Sequence, residues 1–85
     1  MIRKEYDINL LVGLRVRQLR EKKGMSQEKL GFESGVHRTY IGQIERAEKN
    51  ISIVSIGKVI KKLDVDIHEF FNFSSLFEQD SNKKK

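Results

Sequence analysis

Residues 26–46 read SQEKLGFESGVHRTYIGQIER, and the fold is decided there. Two short helical segments flank one tight turn at Gly35, a residue that accepts left-handed backbone without steric cost. That arrangement is a helix-turn-helix. Leu30 anchors the first segment, while Val36, Ile41 and Ile44 put apolar contacts on one side of the second. Roughly 100° per residue of helical rotation places Arg38, Thr39, Gly42 and Gln43 on the opposite side. An arginine offers guanine a bidentate fork, a glutamine offers adenine a bidentate amide, and a threonine suits thymine or phosphate. These residue types on one helix face point to sequence-specific binding of double-stranded DNA.

On the N-terminal side, a helix is expected over residues 9–23, with Leu11 or Val12, Val16 and Leu19 on its apolar face. Gly24 ends it, and Lys22 and Lys23 suit the negative end of its dipole. Arg15, Arg17 and Arg20 fall on or beside its polar side and read first as solvated arginines. Three later helices share one start signal: an apolar residue, a polar cap, then an apolar residue four places past the cap. Met25, Ser26 and Leu30 form the first set, Ile51, Ser52 and Ile56 the second, Val65, Asp66 and Phe70 the third. Helices therefore start near Gln27, Ile53 and Ile67, and five helices result. Ile53, Ile56, Val59, Ile60 and Leu63 are expected in the core. Gly57 interrupts that helix at a cost of about 1 kcal/mol relative to alanine, for which a close helix crossing is one explanation.

The expected organisation is a flexible segment over residues 1–8, a DNA-binding domain with a C-terminal dimerisation region over 9–77, and a polar Lys-rich tail over 78–85. Phe70, Phe71, Phe73, Leu76 and Phe77 crowd the end of the domain. A chain of 85 residues has one modest core, so part of this aromatic cluster is expected to form an apolar patch that pairs two subunits as a homodimer, with packing within one chain as the alternative. The net charge is +5, but without Lys83, Lys84 and Lys85 it falls to +2. Charge thus permits a polyanionic partner, and the arrangement of residues must identify it.

The chain has no cysteine, and its apolar runs fall short of the roughly 20 residues that span a bilayer. A cytoplasmic protein without membrane association is expected. His37 and His68 lack metal-ligand spacing, and neither a nucleophile motif nor a phosphate-binding glycine loop occurs. No catalytic residue, metal, cofactor or small-molecule ligand is expected, and the enzyme class is set aside. His37 reads as a helix-start residue and His68 as a first-turn surface residue.

Several motifs in order carry a family resemblance. VGLRVRQLREKKGMSQEKLG, GVHRTYIGQIER and ISIVSIGKVIKKLDVDIHEFF resemble the first two helices, the turn with recognition helix, and the closing helices of the Cro/cI-type regulators. The likeness covers roughly residues 12–71. It implies an all-α, compact five-helix domain of the lambda-repressor-like kind. HRTYIGQIER followed by KN and a Ser-initiated helix looks most like the controller proteins of restriction–modification systems, with phage-type or other stand-alone repressors as the alternative.

The resemblance implies base contacts from Arg38, Thr39 and Gln43, and a phosphate contact from Gln27 at a helix N-terminus. Glu28 is placed to brace Arg38 by a charge-assisted hydrogen bond. Tyr40 sits at the edge of the reading face, where backbone contact, a thymine methyl or partial packing are all open to it. Arg46, Lys49 and Asn50 form a polar loop suited to phosphate or minor-groove contacts, with a solvated loop as the alternative. Arg20 and Glu45 fall where the family places an ion pair between the first helix and the recognition helix. Gly31 stands where the family has alanine, and Gly42 leaves a gap in the reading face.

A dimer of this kind presents two recognition helices about 34 Å apart to a partly palindromic operator. Beside a promoter it can recruit RNA polymerase as a further partner; over a promoter it blocks polymerase. A protein-interaction or RNA-binding module is the competing class. RNA favours exposed stacking aromatics, and most aromatics here lie away from the reading helix.

Overall fold

The structure is a computed structural model that describes residues 7–74. Among them are five helices and no strand: α1 (Ile8–Lys22), α2 (Gln27–Ser34), α3 (Arg38–Glu45), α4 (Ile53–Leu63) and α5 (Ile67–Phe70). α3 packs on both α1 and α2, and α4 closes the other side of the same pair.

Local chemistry sets the helix ends. The Asp7 side chain accepts the Leu10 N–H, so α1 starts at Ile8, one residue ahead of the expected position. Ser26 and Ser52 accept the N–H groups of Lys29 and Ser55, three residues into each cap. Asp66 accepts the His68 N–H at 2.7 Å. Gly24 and Gly35 both hold left-handed backbone, φ +70° and +80°, where a side chain would be strained. Asp64 takes the same role after α4 at φ +55°.

The core joins Val12 and Val16 of α1, Leu30, Val36, Ile41, Ile44, the α4 residues Ile56, Val59, Ile60 and Leu63, and Phe70. The three staple pairs close as Met25, Ile51 and Val65 pack partly buried against this cluster. Two glycines permit close approach. A Cβ on Gly13 would overlap the Ile44 carbonyl, so α1 and α3 touch backbone to backbone there. A Cβ on Gly31 would lie 2.5 Å from Val36 O, leaving no room for the alanine of the family pattern. Gly57 faces open space, so no close crossing accounts for it.

Three expectations are corrected. Ile53 is 86% exposed, not core; as the first residue of α4 it lies about 70° round from the centre of the buried stripe. Arg15 is not solvated but 7% exposed. Its Nε and Nη2 donate to the carbonyls of Phe70 and Asn72 at 3.0 and 2.6 Å, and its guanidinium lies 5.7 Å from the Phe73 ring centre. It clasps the chain leaving α5, where a cation meets the negative end of that turn.

Phe70 was expected at a dimer surface, yet its side chain is 0% exposed within one chain and so belongs to the core. α5 is one turn long, Ile67–Phe70, with Phe71 as its C-cap. Phe71 remains 41% exposed and Phe73 is half-buried under Arg15. Leu76, Phe77 and the tail over 78–85 lie outside the described residues, as do residues 1–6 of the N-terminal segment.

Candidate nucleic-acid interface

The surface begins at the turn between α2 and α3. His37 caps α3 through its ring: Nδ1 accepts the Thr39 N–H at 3.0 Å. Nδ1 thus acts as acceptor, as in the neutral imidazole with its proton on Nε2. The cap fixes the first turn of α3, which carries Arg38 and Thr39, both exposed. Gln43 follows one turn later and is half-buried.

α2 supplies the opposite wall. Glu28 Oε2 lies 3.2 Å from Arg38 Nη1, an exposed pair that steers the arginine without locking it. Gln27 is held more firmly, because its Nε2 donates to Glu45 Oε1 at 3.0 Å. Its Oε1 faces Gly42, 3.3 Å from where a Cβ would sit. Gly42 is buried beneath Gln27 and Arg46 Nη1, so the supposed gap in the reading face is filled by two polar side chains.

Gln27, Glu28, Arg38, Thr39, Gly42 and Arg46 together line an open concavity of about 370 Å³. Behind Gln27, Glu45 is nearly buried and accepts two bonds from Arg20: Nε to Oε2 at 2.6 Å and Nη2 to Oε1 at 3.0 Å. Arg20 Nη1 also donates to Met25 O at 2.8 Å, tying the entry of α2 to the same hub. The hydrogen bond to Glu45 raises the Arg20 pKa, so the guanidinium stays charged at every ordinary pH.

The loop after α3 is organised by side chains expected at DNA. Tyr40 Oη accepts the Ser52 N–H at 3.2 Å and lies 3.5 Å from Asn50 O. Asn50 Oδ1 accepts from Asn9 Nδ2 at 2.8 Å. Tyr40 and Asn50 therefore brace the loop against α1 and α4, while Lys49 points outward. Arg46 is paired with Glu48 through Nε–Oε2 at 2.7 Å and Nη2–Oε1 at 3.2 Å. That hydrogen-bonded fork holds the Glu48 carboxyl below its ordinary pKa. An Arg-x-Glu at a helix end is its only sequence trace.

The arrangement is suited to polyanion contact: guanidinium donors and a helix N-terminus face one open surface. Among the described residues, no group of three or more His, Asp or Glu side chains is placed to hold a metal ion. No described helix is long and apolar enough to cross a membrane.

A helix-turn-helix family model matches residues 16–70. The chain is 46% identical over 71 residues to the control protein C.BamHI of Bacillus amyloliquefaciens, covering 82% of this chain and 88% of that protein. Its structure is similar to that of the restriction-modification controller protein C.AhdI from Aeromonas hydrophila, with TM-score 0.72 and 44% identity over 78% of this chain and all of that one. It is also similar to the controller C.Esp1396I as a tetramer on its natural 35-base-pair operator, with TM-score 0.72 and 37% identity, covering 79% of this chain and 88% of that one.

Proposed function

The chain belongs to the Cro/cI-type helix-turn-helix family, and from that premise we propose that it is a sequence-specific DNA-binding transcriptional regulator, a controller protein of a restriction–modification system. It acts as a homodimer on a partly palindromic operator in the cytoplasm. Its kinship is with DNA-binding regulators and not with enzymes. What supports the reading most directly is the exposed first turn of α3, where Arg38 and Thr39 stand over a hydrogen-bonded base built from Gln27, Glu45 and Arg20.

In this reading Arg38, Thr39 and Gln43 contact bases, with Glu28 aligning Arg38. Gln27 offers phosphate the N–H that Glu45 leaves free, and Arg46 and Lys49 add backbone contacts. Tyr40 and Asn50 support the loop that carries them. The dimer surface centres on Phe71, with Phe73 at its edge, and omits Phe70. Occupancy beside a promoter recruits RNA polymerase, and further dimers then block it, so activation gives way to self-repression.

The testing experiment is selection of bound duplexes from a random DNA pool, repeated at two salt concentrations. Paired half-sites about one helical turn apart are the expected product. Salt-sensitive binding without an enriched sequence would leave only a basic surface.

A further inference from the structure

The surface proposed to meet DNA is weakly cationic for its task. Its cations Arg38, Arg46 and Lys49 stand beside two carboxylates, Glu28 and Glu48, and each carboxylate is on an arginine. The Arg46 pair is the more complete. One edge of its guanidinium, Nε and Nη2, donates to Glu48 at 2.7 and 3.2 Å, while Nη1 lies over Gly42 at the rim of the concavity. The backbone sets the carboxylate there: the Glu48 N–H donates to Gln43 O at 2.8 Å, and Ala47 before it holds left-handed backbone at φ +58°.

Resting on the DNA-binding reading above, we infer that Glu48 is a specificity-determining residue, which masks the charge of Arg46 and so weakens binding to arbitrary duplex more than binding to the operator.

Attraction to arbitrary duplex comes almost wholly from neutralising phosphates. An arginine already neutralised by its neighbour adds little to it, and a phosphate approaching Nη1 also approaches the Glu48 carboxylate. On the operator, base contacts fix the register, so one phosphate recurs at one place. A guanidinium pre-aligned by a carboxylate then presents Nη1 to that place with less ordering on binding. Masking acts on both kinds of duplex, whereas alignment helps only where the phosphate position is fixed.

The test measures affinity of the full chain for the selected operator and for a scrambled duplex of equal length, across a salt series. The variants are E48Q, R46Q, R46Q/E48Q and E69Q. The last removes an exposed carboxylate of α5, with the same change in net charge. E48Q is expected to bind scrambled duplex about three- to tenfold tighter at low salt. Its slope of log affinity against log salt should steepen by about 0.9, one more phosphate neutralised. Operator affinity gains less, so discrimination falls, and the effect disappears in the R46Q background. Equal gains on both duplexes, an equal effect from E69Q, or no gain on scrambled duplex would overturn the inference. Failure of the unmodified chain to prefer any sequence would instead overturn the DNA-binding reading, and this inference with it.

Discussion

Arg20 and Glu45, 25 residues apart, meet through two hydrogen bonds of 2.6 and 3.0 Å, and the carboxylate also receives Gln27. One ion pair thereby joins α1, the last residue of α3 and the first residue of α2. The Glu45 side chain is nearly buried, so it depends on its partner for compensation. Arg20→Ala is expected to lower the free energy of unfolding by about 3–5 kcal/mol, read by urea denaturation. Arg20→Lys should recover part of this, since a point charge replaces the fork. A loss below about 1 kcal/mol, as for a surface pair, would show that Glu45 is well solvated.

Alanine substitution should have opposite signs at two helical glycines. At Gly13 a Cβ overlaps the Ile44 carbonyl, which is backbone and cannot turn aside. Gly13→Ala therefore forces α1 from α3 and is expected to cost about 1–3 kcal/mol, as overpacking does. At Gly57 a Cβ meets nothing. Gly57→Ala should stabilise by about 1 kcal/mol through helix propensity alone. Thermal denaturation of both variants at one protein concentration checks the pair. Similar shifts would mean that the α1–α3 crossing is looser than described.

The two glycines also show where sequence is informative. Periodicity and caps are local, so the starts of α2, α4 and α5 were legible from Ser26, Ser52 and Asp66 with their apolar neighbours. Gly13 carries no such signal, because its reason is the Ile44 carbonyl of another helix. Arg15 lies between Leu11 and Leu19 by helical angle, at the edge of the apolar face of α1, but the carbonyls of Phe70 and Asn72 that satisfy its guanidinium come from 55 and 57 residues away. A distant acceptor leaves no mark near residue 15. For the candidate site, the helix-turn-helix pattern brought Gln27, Glu28, Arg38, Thr39 and Arg46 to one surface. It could not say that Gln27 and Arg46 would cover Gly42, nor that Tyr40 would turn its hydroxyl to Ser52.

Arg38 separates base reading from simple charge. It stands exposed on the first turn of α3 with Glu28 as its ion-pair partner and does not belong to the core. Arg38→Ala should leave thermal stability within about 0.5 kcal/mol, as surface substitutions do. It should relax preference at one position of each half-site, by about 1–3 kcal/mol of discrimination. Selection repeated with the variant reads this directly. Uniform weakening on every sequence would make Arg38 a phosphate contact.

Phe70 and Phe71 are adjacent, with ring centres 5.0 Å apart, but they face different surroundings. Phe70 is enclosed, while Phe71 is 41% exposed and stacks edge-on against Phe73 at 5.9 Å. Truncating the first should empty part of the core; truncating the second should remove apolar area from the surface proposed to pair two chains. Phe70→Ala is therefore expected to cost about 3–5 kcal/mol of folding stability. Phe71→Ser should instead weaken dimerisation at least tenfold, or about 1.4 kcal/mol, with helical content retained. Sedimentation equilibrium gives the dimer constant, and circular dichroism at a concentration that keeps each variant in one state gives the fold, since dimer stability depends on concentration. An unchanged dimer constant for Phe71→Ser would move the interface elsewhere. The exposed Ile53 and Val54 at the start of α4 would then be the next residues to substitute.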